Sequence, residues 1–286
     1  MIIPNDIEQR ITDRAGASIA RTAVLGGGCV GDVRHIELAD GRQWVAKLGP
    51  TQASLAIEGF MLNYLAEKSS LPVPDVFLSD DDLLVMAYLP AEGPMCQETE
   101  IHAADLVAAL HEITNDTFGF KCDTVLGGLH QPNPPTASWL DFFRDARLIY
   151  MATQAHQVGR LSTPLRRRLD NLAARLDNWL DDSGPPALLH GDLWGGNILT
   201  ANGRVNAFID PAIHYGDPEI ELAFTTLFQT FGSHFFDRYR EHRDIAPGFF
   251  ETRRDLYNLY PLLVHVRLFG GPYVRDVDRT LKRFGC

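Results

Sequence analysis

The sequence predicts an α+β protein with two lobes, a small β-rich lobe over residues 1–92 and a larger, mostly helical lobe over residues 93–286. The first observation behind this prediction is a series of short apolar or alternating segments near the N-terminus, which is typical of strands. The second is the helical spacing of apolar residues, which dominates from Glu98 onward. With 286 residues, each lobe has enough chain to bury a hydrophobic core without a metal or disulfide.

The small lobe is predicted to contain five strands and one helix. The strands are expected at residues 22–25, 33–38, 43–48, 75–78 and 83–88, and the helix at residues 54–68. Asp40-Gly41 is a hairpin turn signal between the second and third strands. Asp80-Asp81-Asp82 separates the last two strands, and this position favours an exposed hairpin tip over a metal site. The lobe then ends near residues 89–93, which we expect to form a hinge.

The larger lobe is predicted to be helical except for one hairpin. Its helices are expected at residues 101–113, 139–157, 164–180, 220–230, 235–241 and 253–268. The hairpin joins residues 198–200 and 205–209 through Asn202-Gly203, the strongest two-residue turn signal.

The composition restricts the classes of partner. A formal net charge of −11 argues against nucleic acid as the main partner, since phosphate-backbone binding needs a basic surface. No apolar run reaches the roughly 18 residues of a membrane span, and the first ten residues lack the features of a signal peptide. We therefore expect a cytoplasmic protein with no membrane partner. The 4 cysteines, Cys29, Cys96, Cys122 and Cys286, lie far apart and predict neither a zinc site nor a disulfide framework.

The segment from His190 to Asn197 carries the main chemical signal. Asp192 is followed five positions later by Asn197, the spacing of the kinase catalytic loop, in which the Asp receives the hydroxyl proton and the Asn holds magnesium. The alternative is a polar loop in which Asp192 only caps a turn. Asp210 closes the hairpin that Asn197 opens, so antiparallel pairing brings these ends within roughly 5 Å. Asn197 and Asp210 are therefore predicted to bind one Mg²⁺, for which one or two protein ligands plus phosphates suffice.

The small lobe supplies the parts expected of a nucleotide site. The glycine-rich segment Gly26, Gly27, Gly28 and Cys29 permits close approach of a triphosphate, although a plain hairpin turn has the same composition. Lys47 ends an apolar strand segment, as in kinases, and Glu58 on the following helix is its expected partner; a lysine that only reaches solvent is the alternative.

A strand leading into the hinge is the expected adenine site. Met86 is predicted to face the base, and the backbone of Ala87, Tyr88 and Leu89 is predicted to bond to it. All these parts occur in kinase order. They predict a bilobal, protein-kinase-like fold that binds ATP and Mg²⁺.

Residues 190–197 and 210–219 together resemble the signature of the fructosamine kinases, also called ketosamine-3-kinases, within the aminoglycoside-phosphotransferase-like superfamily. Similarity extends to residues 26–29, 259–265 and 269–271. The resemblance implies transfer of phosphate from ATP to the 3-hydroxyl of a fructosyl or ribosyl amine, with a small ketoamine or a glycated protein lysine as partner. Decomposition of the product would free the amine, which is a deglycation repair.

The resemblance also implies a substrate segment. Its residues are Asp123, Gly127, Gln131, Asn133 and Trp139, with Trp194 from the catalytic loop. The segment departs from the family at Thr124, Val125 and residues 128–130. Asp217, like Glu219 or Asp123, is a candidate contact for a cationic amine, and each of these acids could equally cap a helix or face solvent.

Three other functions compete with this interpretation. A kinase for another small alcohol, such as an aminoglycoside, choline or homoserine, would share every catalytic part. A nucleotide-binding pseudokinase would be expected to lose Lys47, Asp192 or Asp210, and all three are present. A protein kinase would carry a long activation segment ending in Ala-Pro-Glu after Asp210, and none follows.

Overall fold

The structure, a computed structural model, describes residues 3–26, 32–50, 54–182 and 184–286. It confirms the predicted α+β architecture, with a sheet in the N-terminal part and mainly helices in the C-terminal part.

The small lobe is built on one antiparallel sheet. Its strands are β1 (Ile19–Val24), β2 (Asp32–Leu38), β3 (Gln43–Leu48), β4 (Val76–Ser79) and β5 (Leu83–Ala87), and its helices are α1 (Asn5–Ala15) and α2 (Leu55–Lys68). The strand order is β1-β2-β3-β5-β4, so β3 lies at the centre. Lys47 on β3 stands opposite Val33 on one neighbour and Leu84 on the other. All five predicted strands and the predicted helix are present within a few residues of their expected limits.

Helix α1 was not expected from the sequence. Ile7 and Ile11 lie on one face of this helix, four positions apart, and pack against Ile36 and Trp44 of the sheet. This cluster forms a small core that is separate from the core of the larger lobe.

The larger lobe contains helices and three short strand pairs. The helices are α3 (Gln97–His111), α4 (Trp139–Phe142), α5 (Tyr150–Gln157), α6 (Thr163–Ala173), α7 (Pro218–Leu227), α8 (Ser233–His242), α9 (Arg254–Tyr257), α10 (Leu259–Phe269) and α11 (Pro272–Arg283). The strands are β6 (Thr124–Leu126), β7 (Leu129–Gln131), β8 (Ala187–Leu189), β9 (Ile198–Ala201), β10 (Arg204–Phe208) and β11 (His214–Gly216). The pairs are β6 with β7, β8 with β11 and β9 with β10, all antiparallel.

Two expectations for this lobe were wrong in detail. The β9–β10 hairpin is not the sole strand pair, because β6–β7 and β8–β11 are also present. The long helices are interrupted: a π-helical segment, Phe143–Ile149, separates α4 from α5, and α9 ends before α10 begins. Pro261 in the first turn of α10 explains the second interruption, since proline cannot continue a helix from the preceding turn.

Helix α2 connects the two lobes. Its Met61 and Leu65 are completely buried in the hydrophobic core of the larger lobe, although the helix belongs to the small lobe in sequence. The division at residue 92 therefore stays a prediction. Among the described residues, no helix combines the length and the apolar character needed to span a membrane.

Candidate active site

The predicted catalytic loop, residues 190–197, begins at the end of β8, which pairs with β11. The Ala212 N–H donates to the His190 carbonyl at 2.7 Å, which fixes the chain just before Asp192. Gly191 has a φ of +85°, and a Cβ there would lie 2.1 Å from the Ala212 carbonyl oxygen. Glycine is therefore required at this position, both for the backbone conformation and for the close approach.

The side chains of Asp192 and Asn197 contact each other directly. The Asn197 Nδ2 donates to Asp192 Oδ2 and to the Asp192 carbonyl, both at 2.9 Å. Burial raises the pKa of Asp192 to about 8, although the bond from Asn197 opposes the shift. The carboxylate is thus held in one orientation at the cavity wall, as positioning of an acceptor hydroxyl requires.

The β9–β10 hairpin brings Asp210 next to Asn197, as predicted. Asn202 and Gly203 have φ values of 54° and 71°, which is the geometry of a two-residue hairpin turn. At the open end, the Ile209 N–H donates to the Asn197 carbonyl at 3.0 Å. Asp210 itself has a φ of 55°, a left-handed conformation that costs energy outside glycine and is found at functional sites.

Lys47 is shared between two carboxylates. Its Nζ donates to Glu58 Oε1 at 2.6 Å and also contacts Asp210 Oδ1. Only 9% of the Lys47 side chain is exposed, so the alternative of a lysine reaching solvent does not hold. Burial alone would lower the pKa of Lys47, but the charges of Asp210 and Glu58 outweigh it and raise the pKa overall. The ammonium is therefore charged and fixed beside Asp210.

These groups line one cavity of about 410 Å³ between the small sheet and the catalytic loop. The predicted residues on its wall are Gly26, Lys47, Glu58, Met86, Ala87, Tyr88, Leu89, Asp192, Trp194, Asn197 and Asp210. Gly27, Gly28 and Cys29 lie outside the described residues. The remaining lining is mainly apolar and includes Leu25, Val33, Val45 and Leu199, a surface suited to a planar base.

The segment from β5 into the predicted hinge has fewer free backbone N–H donors than the sequence predicted. The Ala87 N–H donates to the Asp75 carbonyl at 2.9 Å, and the Tyr88 N–H donates to the Gln43 carbonyl at 3.1 Å. Both donors are occupied within the sheet. A bond to adenine from this segment would therefore use the Leu89 N–H or a carbonyl oxygen.

The predicted substrate residues divide into two groups. Trp194 and Gly127 line the cavity, whereas Asp123, Gln131, Asn133, Trp139 and Asp217 do not. Asp123 is exposed and accepts from the His130 ring and the Asn133 N–H, each at 2.9 Å. The structure therefore does not bring these five residues to the cavity wall.

The buried members of this set hold the segment in place. Gln131 donates to the Ala212 carbonyl at 3.0 Å and accepts from Tyr260, which ties β7 to the chain after Asp210. Asn133 accepts from Arg147, a completely buried residue of the π-helical segment, at 2.7 Å. Through these bonds the β6–β7 turn, Gly127 and Gly128, is placed on the cavity wall.

Trp139 and Asp217 meet at one tyrosine. The Trp139 indole N–H donates to the Tyr257 hydroxyl at 3.0 Å, and that hydroxyl donates to Asp217 at 2.7 Å. Asp217 also caps α7 by accepting from the Glu219 N–H. Burial raises the pKa of Asp217 to about 6. Of the roles considered from the sequence, the helix cap is the one this geometry shows.

Glu221 is a site residue that the sequence did not reveal. Its carboxylate accepts from the backbone N–H of Gly191 at 2.6 Å and of His190 at 3.2 Å. His111 donates to the same carboxylate at 3.0 Å, and the Tyr239 hydroxyl lies 2.7 Å from the other ring nitrogen. Burial alone would raise the pKa of Glu221, but these donors lower it overall. The catalytic loop is thus anchored to α3, α7 and α8.

The chain is similar in sequence to proteins of one kinase family. The fructosamine kinase family model matches residues 3–284. A Synechocystis protein named as a probable ketoamine kinase is 33% identical over 97% of this chain and 95% of its own length. An Arabidopsis thaliana protein named as a chloroplastic protein-ribulosamine 3-kinase is 27% identical over 92% of this chain and 82% of its own.

A solved structure shares the architecture. A Thermobifida fusca protein provisionally identified as a fructosamine-3-kinase superposes with a TM-score of 0.86 at 31% identity, covering 98% of this chain and 99% of its own. The chain therefore belongs to the fructosamine kinase family and is a kinase that takes its phosphoryl group from ATP.

Proposed function

We propose that the protein phosphorylates the 3-hydroxyl of a ketoamine, a fructosyl or ribosyl amine, and thereby takes part in deglycation. The observation that carries this proposal is the cavity in which Asp192 shares a wall with the Lys47–Asp210 pair and with Trp194. A triphosphate beside Lys47 and an acceptor beside Trp194 would both reach Asp192. The relatives named as ketoamine and ribulosamine kinases support the acceptor class.

The residues supply positioning and charge. Lys47 would neutralise triphosphate oxygens, and Glu58 keeps its ammonium in place. Asp192 would accept a hydrogen bond from the acceptor hydroxyl and receive its proton as the oxygen–phosphorus bond forms. Once nucleotide and acceptor fill the cavity, its apolar lining would limit the access of water, which strengthens these electrostatic interactions.

We propose Asn197 and Asp210 as the ligands of Mg²⁺. Among the described residues, no group of three acidic, histidine or cysteine side chains forms a metal cluster, so the ion would depend on these two residues and on the nucleotide. The donor set fits: the Asn197 Nδ2 is directed at Asp192, which leaves the amide oxygen as the atom for a cation. Bound there, Mg²⁺ would neutralise charge developing on the transferred phosphoryl group.

Three finer expectations are also part of the proposal. A glycated protein lysine is a second acceptor of the same chemical type. The cytoplasm remains the predicted location. For the substrate residues outside the cavity wall, we propose a positioning role rather than contact with the sugar, because Gln131, Asn133 and Trp139 are buried and bonded within the protein.

Product analysis tests the acceptor and the position of transfer. The protein should be incubated with ATP, Mg²⁺ and a fructosyl amine, a ribosyl amine, an aminoglycoside or choline. We expect kcat/KM for a ketoamine to exceed that for the other acceptors at least about tenfold, since sites built for particular polar groups reject analogues strongly. Phosphorus should couple to the proton on C3 in the NMR spectrum. An aminoglycoside preferred over every ketoamine, or phosphate on another hydroxyl, would contradict the proposal.

A further inference from the structure

A row of exposed and half-buried aromatic rings begins at the cavity wall. We define the aromatic strip as Trp194, Phe228, His265, Phe269 and Tyr273. Neighbouring ring centroids lie 5.8 Å apart for Trp194 and Phe228, 5.0 Å for Phe228 and His265, and 4.7 Å for His265 and Tyr273. Four large hydrophobic residues of the described chain are exposed, and two of them, Phe228 at 37% and Phe269 at 51%, belong to this strip.

The aromatic strip meets the cavity at Trp194, which belongs to both. Leu268, which precedes Phe269 on α10, lies beside the β6–β7 turn: a Cβ on Gly127 would lie 3.4 Å from its Cδ1. Gly127 lines the cavity as well. A molecule bound at Asp192 could therefore extend from the cavity past Trp194 onto the strip.

The ring of Trp194 is fixed at this junction. A Cβ on Gly196 would lie 2.3 Å from the indole, so the ring rests directly on the backbone there and its position depends on glycine. His265 adds no positive charge at neutral pH, because burial lowers the pKa of its imidazole. Its Nδ1 lies 2.7 Å from the Pro261 carbonyl, which holds the ring in the row. The strip thus offers uncharged aromatic faces and edges.

The covalent structure of a ketoamine determines which part of the acceptor would contact the aromatic strip. The amine nitrogen is attached to C1 and is only three bonds from C3, the carbon whose oxygen must reach Asp192. The substituent on the nitrogen must therefore extend out of the cavity at a point close to Asp192. Trp194, two residues beyond Asp192, lies at the start of the aromatic strip. Apolar groups and rings gain most from such contact, because aromatic side chains bury large areas and favour other rings.

We propose, on the basis of the proposed function, that the aromatic strip binds the amine portion of the acceptor and selects small ketoamines whose amine carries an aromatic ring. The sugar lies in the cavity, and the ring of the amine packs against Phe228 and Phe269. The cationic nitrogen lies between the sugar and the ring of the amine. It is near the face of Trp194, where a cation is attracted to an indole.

Two acceptors with the same sugar test this proposal: the fructose ketoamine of benzylamine and that of glycine. We expect kcat/KM for the benzylamine compound to be at least about tenfold higher, in the range by which apolar pockets discriminate. Phe228→Ala and Phe269→Ala should each reduce that ratio severalfold. Phe269→Leu, which keeps apolar volume without the ring, should give an intermediate ratio. Phe250→Ala, which removes a partly buried ring from a different aromatic group with Phe236 and Phe249, should leave the ratio at the wild-type value.

The melting temperature of each variant reports whether it is folded. A wild-type ratio near one, or a ratio that neither Phe228→Ala nor Phe269→Ala changes in folded protein, overturns the role of the strip while ketoamine phosphorylation stands. If neither ketoamine is phosphorylated but an aminoglycoside is, the proposed function itself fails.

Discussion

At the scale of single residues, the proposed role of Asp192 depends on the orientation and the protonation of its side chain. Its carboxylate is held by Asn197, and burial raises its pKa. We expect Asp192→Asn to lower kcat by about 10² or more, because a positioned base contributes that much. Folding should survive, since an amide has nearly the size of the carboxyl and avoids the buried charge that raises the pKa of Asp192. Steady-state kinetics and thermal unfolding test this together, and near-normal turnover in folded protein would contradict the role.

Asp217 makes a residue-scale prediction about stability and pH. Its pKa in the folded protein is about 6, above the ordinary value of 3.8, so the folded state binds more protons than the unfolded state between about pH 4 and 6. The free energy of unfolding should therefore fall as pH rises through this window. Asp217→Asn keeps a cap on α7 and removes the titration.

Relative to wild type, the free energy of unfolding of Asp217→Asn should increase by about 1–2 kcal/mol from pH 4 to pH 7. This value allows for solvent screening, because Asp217 is only half-buried. Urea unfolding at several pH values measures it. Loss of the Tyr257 contact would change the free energy of unfolding by the same amount at every pH. The prediction concerns only how the difference between the two proteins changes with pH. Parallel curves for the two proteins would show that Asp217 does not titrate in this range.

At the scale of elements, the catalytic loop depends on helices distant in sequence. Glu221 on α7 accepts from the Gly191 and His190 backbone and from His111 on α3. Glu221→Gln replaces one acceptor oxygen by an NH₂ group facing donors. We expect a loss of about 1–3 kcal/mol in stability, the cost of an unsatisfied buried group.

The same change should also lower kcat more than it raises KM for ATP, because the loop carries Asp192, whereas the proposed contact of the nucleotide is Lys47 on β3. Glu219→Gln, on the same helix but paired with Arg253 away from the loop, is the matched control and should affect stability alone. Equal kinetic effects in both variants would remove the special role of Glu221.

The elements also show why the sequence predicted some parts and missed others. Strong local signals were sufficient for the β9–β10 turn, where Asn202-Gly203 has the predicted geometry, and for the Lys47–Glu58 contact, which follows from a strand and the next helix. Strands β8 and β11 are only three residues long and pair with each other across more than 20 residues of sequence. Strands β6 and β7 are equally short, although their pairing is a local hairpin. Glu221 looked like an ordinary helical acid, because its function depends on contacts more than 25 residues away in sequence.

The substrate segment illustrates the same limit at its buried positions. Gln131, Asn133 and Trp139 were expected at the acceptor, yet their partners, such as Tyr260, Arg147 and Tyr257, come from other elements of the lobe. Sequence spacing identified the segment but not the direction of each side chain. Its turn, Gly127 and Gly128, rather than the polar residues, lies on the cavity wall.

At the scale of the whole molecule, the cavity proposed as the nucleotide site is lined by distant parts of the chain: Lys47 and Glu58 lie on β3 and α2, and Asn197 and Asp210 flank the β9–β10 hairpin. A ligand that binds only the folded protein stabilises it by mass action, about 2.7 kcal/mol at a concentration one hundred times Kd. For a chain of 286 residues we expect ATP with Mg²⁺ at such a concentration to raise the melting temperature by roughly 4–5 °C. Excess chelator should remove most of that rise, because Asn197 and Asp210 are only two protein ligands and would not compete with the chelator for the ion.

Asp210→Ala separates the ion from the rest of the nucleotide site. The variant should lose the Mg²⁺-dependent part of the rise, since it lacks the one carboxylate proposed for the ion, while Lys47 keeps Glu58 as its partner. Glu92→Ala, which removes an exposed carboxylate beyond β5, is the control and should respond to Mg²⁺ and ATP like wild type. Differential scanning fluorimetry with ATP, with Mg²⁺ and with both provides the measurement. An undiminished rise in Asp210→Ala would show that the ion is held by other groups, and the proposed pair of ligands would have to be abandoned.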